Sequence, residues 1–598
     1  MFRKIIVICL WLFLFLLFFH QETRPEDAWW HLSTGRWIVG HWQVPHVDPF
    51  PFTNEQTPWT QHNEWLGSTI LYFAYQLGGF LGLKIFRSLI FILAISVFFF
   101  YARKRLPLSF IVILMLLMAY GIFNRPLLKP ELFNLIFVQV FLITLFAYVN
   151  NGKLKNLLIL PVLGVFWFNI HIGAVVYGVP LIAIFLIAAC IKFFNYQRKG
   201  EVSNKNAAAI QIKHITGVLF LYLMGFLINP YGLQGFLFPF KVFLIPSYID
   251  FYKQCHMTAE MQPPWYIFMS FNYFYFFILA GLALFAVFLK KDRIQSILLL
   301  AISLFAFLCV ERNSSFFTLA CVYIIIDGAR NLNYEETWRK VRFPQLLEIL
   351  MMAAIGIFLV IQIVNLWGEN VSVEGKRSKS LFLQVNPYVL SSINFLKENG
   401  ITGPAFNDIP LGNSMLWFCY PQLRPFDDGR HVNTERFNDR VAVILRPEIY
   451  WSQVEKEYGF KVLIAFQAGS SENLIKYIDS RPDWQLVAVD GRIVIYVKRG
   501  AFHLSEKLDQ FQQQLRSEIV TDHDKIQLES LLQRKPRSLL ERFLDPSPIE
   551  VDSFSAGRVL MSLGYKGAAL KDFIDGLKVS DQLYMKQTAV VFLKQLSH

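Results

Sequence analysis

Apolar runs long enough to cross a bilayer recur along the first 370 residues and limit what this chain can fold into more than any other feature. They fall near 4–20, 82–101, 107–123, 131–149, 156–170, 173–192, 215–229, 266–289, 294–311, 314–328 and 346–367, with 156–170 the shortest. A spanning helix needs roughly 20 predominantly apolar residues, so the sequence predicts about eleven spans. With 54% hydrophobic and 17% charged residues, and a mean hydropathy of +0.39, the chain is not a soluble multidomain protein.

Lysine and arginine set the expected orientation. With the N-terminus inside, 19 of them fall on the cytoplasmic side of the spans, in groups such as Arg103-Lys-Arg105 and Lys290-Lys-Asp-Arg293, against 7 outside. The same count places everything after about 368 outside. The net charge of +13 is then mainly topological, and nucleic-acid binding is not expected. Phe2-Arg-Lys4 and the apolar run behind it fit a signal peptide, but Phe18-Phe-His-Gln21 offers no small-residue cleavage site, so the run reads as a retained first span. The six cysteines are scattered, mostly in spans, and form no metal or disulfide framework.

The longest loop between spans, 21–80, carries carboxylates, imidazoles and tryptophans where the chain has just left the bilayer. Ionisable groups are costly there unless they serve a site, and tryptophan favours the membrane boundary. Over 27–40 the spacing predicts a helix with Asp27, His31 and Thr34 on one face and Trp30, Trp37 and Ile38 toward lipid. Pro45, Pro49, Pro51 and Pro58 enforce an extended stretch. A second amphipathic helix is predicted at 61–77, lying in the interface plane. The expected organisation is a transmembrane module over 1–370, an external α/β domain over 380–500 and a helical tail over 501–598. In the α/β domain, strands are predicted at 403–408, 424–429, 461–466, 486–490 and 492–498, and helices at 386–399, 434–445, 448–458 and 471–480. Gly557, Leu560, Gly564, Ala569, Phe573 and Gly576 have the spacing of a tetratricopeptide-like (TPR-like) hairpin at about 553–598, read as a packing or capping pair before a peptide-binding array.

Three ordered stretches, Asp27-Ala-Trp-Trp-His-Leu-Ser-Thr-Gly-Arg-Trp-Ile38, Val44-Pro-His-Val-Asp-Pro-Phe50 and Pro58-Trp-Thr-Gln-His-Asn-Glu-Trp-Leu66, resemble a bacterial multispan family whose members are similar to the GT-C glycosyltransferases. Trp167-Phe-Asn-Ile-His171, Asn229-Pro-Tyr-Gly232, Ala259-Glu-Met-Gln-Pro263 and Phe426-Asp-Asp-Gly-Arg430 extend the resemblance over roughly residues 1–500. It implies a polytopic α-helical protein of a bacterial inner membrane with its C-terminal part in the periplasm. It also implies transfer of a sugar from a polyprenyl-phosphate carrier to a glycan, lipid or protein acceptor on the outer face. An acidic residue in the first external loop then acts as base or acceptor-positioning group, which maps to Asp27. No acceptor-binding motif of protein mannosyltransferases or oligosaccharyltransferases is visible.

Each candidate residue has a plainer reading beside the functional one. Asp27 would remove the acceptor's proton and hold it in line, or cap the helix it precedes. Glu26 is a second acid or a solvated neighbour. His31, His62 and Glu64 form a catalytic or substrate-binding network, a divalent-ion site of Zn²⁺ or Mn²⁺ type, or a structural network; their spacing matches no compact metal motif. Arg125, Lys129 and Arg312 at external span ends would hold the departing carrier phosphate, or snorkel and pair with Glu131, Glu260 or Glu311. His171 lines the site or bonds between helices. Glu260 binds acceptor or shapes its loop. Asp427, Asp428 and Arg430 touch a saccharide or pair within their own turn, the turn being favoured.

The leading expectation is an inverting membrane glycosyltransferase with Asp27, His31 and Glu64 catalytic and Glu26, His62, Arg125, His171, Glu260 and Arg312 binding substrate. The alternative is a non-catalytic membrane protein of the same shell that binds carrier lipid or scaffolds envelope polysaccharide assembly or export. A transporter is disfavoured, because polar residues gather at one face and no internal repeat is evident.

Overall fold

The computed structural model describes residues 2–20, 26–52, 58–59, 64–123, 128–244, 263–264, 274–290, 292–329, 357, 387–430, 434–467, 471–534, 552–580 and 583–596. The chain divides into two compact units. Residues 1–24, 34–46 and 60–363 make the first, and 25–33, 47–59 and 364–598 the second. Two pieces of the loop between the first two apolar helices therefore belong with the C-terminal half of the chain.

The first unit is helical: α1 (Phe2–His20), the second half of α2 (Glu26–His41), α3 (Trp65–Ala102), α4 (Leu108–Phe123), α5 (Asn134–Asn151), α6 (Ile159–Ile170), α7 (Val179–Arg198), α8 (Val202–Gly225), α9 (Gly232–Leu244), α10 (Phe274–Phe288), α11 (Ile294–Cys309) and α12 (Ser314–Ala329). Among the described residues four stretches are long and apolar enough to cross a membrane: Trp65–Ala102, Pro130–Asn151, Ala174–Arg198 and Val202–Gly225. Shorter apolar helices accompany them, and the run expected at 346–367 lies, except for residue 357, outside the described residues. The amphipathic stretch and the span expected on either side of residue 80 form one element, α3, broken at Gly78 and Gly79. Gly79 takes φ +58°, which costs a side chain strain. At Gly82 a Cβ would lie 2.5 Å from the Ala74 carbonyl oxygen, so the turn closes only on glycine.

Polar pairs inside this unit have identifiable work. Arg87 of α3 is fully buried and donates from Nη2 to the Phe18 carbonyl at the end of α1 (2.7 Å), satisfying a carbonyl the helix leaves unbonded. Lys192 pairs with Asp292, and Lys290 with the buried Asp327.

The second unit is built on a four-stranded sheet of order β1-β2-β4-β3, from β1 (Ala405–Asn407), β2 (Val462–Phe466), β3 (Trp484–Asp490) and β4 (Ile493–Lys498). β1 and β2 are parallel; the other pairs are antiparallel. Between β1 and β2 run α14 (Ile409–Phe418), α15 (Thr434–Leu445) and α16 (Pro447–Tyr458), after α13 (Pro387–Glu398); α17 (Ser471–Ser480) follows β2. Alternation sends Val462 and Ile464 to one face of the sheet, against α13 and α14, and Leu463 and Ala465 to the other, with Trp451 and Ile475. Gly491 (φ +53°) turns the β3–β4 hairpin.

The helices after the sheet are α18 (Glu506–Asp509), α19 (Phe511–Ser517), α20 (Asp522–Leu532), α21 (Asp552–Ser562), α22 (Lys566–Val579) and α23 (Leu583–Leu596). α21 and α22 pack closely through Gly557 and Gly576, and their apolar residues join the core on the Leu463 side of the sheet.

One acid in this packing opposes it. Burial pushes the Asp572 carboxyl up to about 7, with Asp575 and Glu518 adding repulsion. The folded state therefore holds this proton more tightly than the unfolded chain does. Its contribution is neutral below about pH 4 and turns destabilising as pH rises from there to about 7. Asp572→Asn is expected to raise the thermal midpoint at pH 8 and to leave it unchanged at pH 4, as checked by melting the full chain in detergent.

Candidate active site

In the first unit a chain of hydrogen bonds ends on an imidazole that lies beside a carboxylate. α6 stops at Ile170, and His171 takes an extended backbone (φ −160°, ψ 144°) before a π-helical turn, Ala174–Gly178. Such turns free carbonyls from the regular ladder, and the Tyr222 hydroxyl donates to one of them, that of Ala174 (2.7 Å). The break aims the His171 ring at Asn134, the first residue of α5, and at Glu64, which immediately precedes α3.

The protonation of that ring follows from its neighbours. The Trp167 indole can only donate, and it donates to Asn134 Oδ1 (2.7 Å). Asn134 therefore presents its amide Nδ2 to His171 Nδ1 (3.2 Å). The backbone N–H of Gly173 donates to the same Nδ1 (2.8 Å). An imidazole nitrogen that accepts twice carries no proton, so the ring is the neutral Nε2–H tautomer. Nε2–H then faces Glu64 Oε1 at 3.2 Å. Glu64 is a carboxylate oriented by a neutral imidazole, with a side chain 16% exposed.

Small residues make this closeness possible. At Gly173 a Cβ would fall 2.3 Å from Asn134 Oδ1, and at Gly67 one would fall 2.6 Å from Pro130 Cβ and 2.7 Å from the Ile170 carbonyl oxygen. Next to Glu64, the Trp65 indole donates to Asn169 Oδ1 (2.8 Å), while Asn169 Nδ2 donates to the carbonyls of Val165 and Ile228. Asn169 is thereby a helix-to-helix tie. Asn229 likewise serves its own turn, accepting from Tyr231 N and donating to the carbonyls of Phe226 and Gly232.

Asn134 also lines an apolar crevice with Phe91, Leu135, Phe316, Glu131 and Arg312. Glu131 sits in a 3₁₀ turn, Pro130–Phe133, and holds Arg312 through two hydrogen bonds (Nη2 2.7 Å, Nε 3.4 Å), with the Lys129 ammonium at 3.7 Å. The crevice encloses about 30 Å³, room for a water or two.

In the second unit, Asp27 lies inside the first turn of α2 and not at the cap, since the helix begins at Glu26. A carboxylate there still faces the positive helix end. Asp27 is half-buried, and the fully buried His31 stacks on Trp30 at 3.5 Å between centroids. Further along the loop, Asp48 is gripped by Arg430, whose Nη1 donates to Asp48 Oδ1 (2.8 Å) while Nε and Nη2 donate to Asp428 (2.7 and 2.5 Å). The Arg430 and Asp48 side chains are each 1% exposed. Burial alone would raise the Asp428 pKa, but Arg430 outweighs it and holds the carboxyl below its ordinary value; both carboxylates push the guanidinium up. Asp427 accepts from Arg440 Nε (2.9 Å). The Phe426–Arg430 turn is thus internally paired, and it also holds the loop.

The structure brings Glu64 to His171 and Arg312 to Glu131, and it places Asp27 and His31 in the other unit. His62, Arg125 and Glu260, and the side chain of Glu26, lie outside the described residues. Sequence reasoning missed Asn134, Gly173 and Asp48. Asp48 stood in plain view in Val44-Pro-His-Val-Asp-Pro-Phe50, where a lone acid between prolines gave no sign of a partner hundreds of residues away. Among the described residues no three His, Cys, Asp or Glu side chains gather as metal ligands would. His171 Nδ1 is moreover committed to two donors and is not available as a metal ligand.

No protein-family profile matches the chain, and no curated protein sequence matches it. Three solved structures of the Archaeoglobus fulgidus oligosaccharyltransferase are similar in chain course. The apo form shows 10% identity and a TM-score of 0.49 over 78% of this chain and 69% of that one. The complex with an inhibitory peptide and a dolichol-phosphate shows 12% and 0.46 over 75% and 66%. The complex with Zn and sulfate shows 12% and 0.39 over 74% and 64%. This chain thus spans about two thirds of the length of each. Scores below 0.5 decide neither fold nor activity, so the chemistry has to be read from the side chains.

Two outcomes follow from the bonds around His171 and Arg430. Selective ¹⁵N-histidine NMR at neutral pH is expected to show His171 as the Nε2–H tautomer, and Asn134→Leu to abolish that preference. Arg430→Met strands two buried carboxylates, so unfolding of the second unit in denaturant is expected to become easier by about 3–5 kcal/mol.

Proposed function

We propose that the protein is a membrane glycosyltransferase that moves a sugar from a polyprenyl-phosphate carrier to a hydroxyl-bearing acceptor. The observation that carries this reading is the continuous path in the first unit from Glu64 through His171 and Asn134 to an apolar crevice lined by Arg312 and Glu131. A base, a cation and a greasy wall in sequence are what a lipid-borne anionic leaving group requires. The motif resemblance over roughly residues 1–500 supports the same assignment.

In this mechanism the acceptor hydroxyl attacks the anomeric carbon. The new C–O bond forms as the bond from that carbon to the carrier phosphate breaks, which inverts the centre. Glu64 takes the hydroxyl proton, and His171 keeps its carboxylate aimed without competing for that proton. The departing phosphate carries the bonding electrons and is stabilised by Arg312, which lines the crevice, and by Lys129 beside Glu131. Arg312 is oriented by its two hydrogen bonds to Glu131, and its planar guanidinium suits a phosphate. Asp27 keeps the role that the resemblance implies, orientation of the acceptor.

The test starts from lipid-linked sugars that accumulate when the gene is deleted, which supply the donor. With that donor and purified full-length protein in lipid, Glu64→Gln is expected to lower transfer by about a hundredfold or more while leaving the protein folded, and Asp27→Asn to lower it as well. Transfer at the parent rate by Glu64→Gln removes Glu64 from the chemistry. Binding of the carrier lipid with no transfer by the parent protein would favour a carrier-lipid-binding scaffold instead.

A further inference from the structure

The geometry points to Arg430 and Phe418 as positioning residues that set where the Asp27 segment lies. This rests on the role proposed above for Asp27, and its first readout does not depend on that role.

A single short helix, α14, touches everything the inference needs, all of it in the second unit. Asn407, the last residue of β1, and Asn413, within α14, shape the Phe426–Arg430 turn. Asn407 Nδ2 donates to the Asp427 carbonyl (2.8 Å), Phe426 N donates to Asn407 Oδ1 (2.8 Å) and Gly429 N donates to Asn413 Oδ1 (2.7 Å). At Gly412 a Cβ would fall 2.1 Å from the Asp427 carbonyl oxygen, so turn and helix touch backbone to backbone. That turn presents Arg430 to Asp48.

At the C-terminal end of α14, Phe418 packs on Trp29, with ring centroids 5.1 Å apart. Trp29 is two residues from Asp27 and 2% exposed, and its carbonyl accepts from Ser33 Oγ (2.8 Å). Just beyond, Tyr420 packs on Phe50 (5.1 Å) and donates to the Pro49 carbonyl (3.4 Å). The Arg430 guanidinium lies over the rings of Phe50 (4.8 Å) and Trp59 (5.1 Å), and Phe52 meets Phe426 and Phe460.

Both stretches of the early loop, 26–33 and 47–52, are therefore seated on one helix and the turn it braces. Asp27 takes its place from residues that lie almost 400 positions later in the chain. Arg430 and Phe418 act through the segment that each holds. A misplacement of about 1 Å is enough to cost on the order of a hundredfold in rate, so loosening this seat reads out in turnover.

The experiment compares the full-length parent, Arg430→Lys, Arg430→Met and Phe418→Ala in detergent or nanodiscs. Phe418 is half-buried at the helix end, so its truncation leaves a folded protein if Arg430→Met does not. Hydrogen exchange is followed by mass spectrometry over 26–33 and 47–52. Arg430→Met is expected to speed exchange in both stretches, Arg430→Lys to restore part of the protection, and Phe418→Ala to speed 26–33 selectively. In the transfer assay Phe418→Ala is expected to lower kcat or raise the acceptor KM while the donor KM holds. Unchanged exchange over 26–33 in Phe418→Ala and Arg430→Met overturns the inference. Faster exchange there, with transfer insensitive to Asp27→Asn, sustains the seat and refutes the role of Asp27.

Discussion

The second unit turns on one buried guanidinium. Arg430 bridges Asp48 and Asp428 at hydrogen-bond distance and covers two aromatic rings, all with almost no contact with water. Taking three charges out of water is costly unless the geometry is close and nearly every polar atom is used. The planar fork satisfies that condition where an ammonium would not, because it reaches both carboxylates at once. The asparagines that brace the turn, the glycine that lets it approach α14 and the aromatic wall around Phe50 are all arranged about that fork.

The first unit solves a related problem by the opposite means. It holds a carboxylate in place with a neutral ring, not with a cation. A charged partner at His171 would pull the Glu64 proton affinity down and make it a poor acceptor of protons. The neutral tautomer, enforced by the Gly173 amide and by an asparagine whose orientation is set by an indole, gives direction at less electrostatic expense. Arg312, in contrast, is anchored by a carboxylate, Glu131, through two hydrogen bonds.

How much of this was legible in the sequence depended on how local the signal was. The amphipathic helices of the second unit carry their period within ten or twelve residues, and α15 and α17 occupy the expected ranges 434–445 and 471–480. The run at 424–429, expected as a strand, opens on Arg424 and Pro425 before its single aromatic, Phe426. It keeps only one bridge, Ala405 to Pro425, and then turns, since the two aspartates and the glycine favour a turn held by arginines. The α3 break was marked by Gly78-Gly79, yet apolar composition on both sides hid how the two halves connect. In the site, Trp167-Phe-Asn-Ile-His171 announced polar residues in an apolar setting, but nothing local linked His171 to Glu64, 107 positions earlier, or to Asn134. Those pairings depend on how helices pass one another, which a linear pattern does not encode.

The separation of Asp48 from Arg430, 382 positions, has a consequence for biogenesis. A ribosome adds about 5–20 residues per second, so the aspartate emerges tens of seconds before its arginine exists. Throughout that interval the early loop must stay hydrated and unclaimed while helix after helix is inserted. The second unit is thus completed from two segments made far apart in time, and its closure reports that synthesis has passed the turn at 426–430.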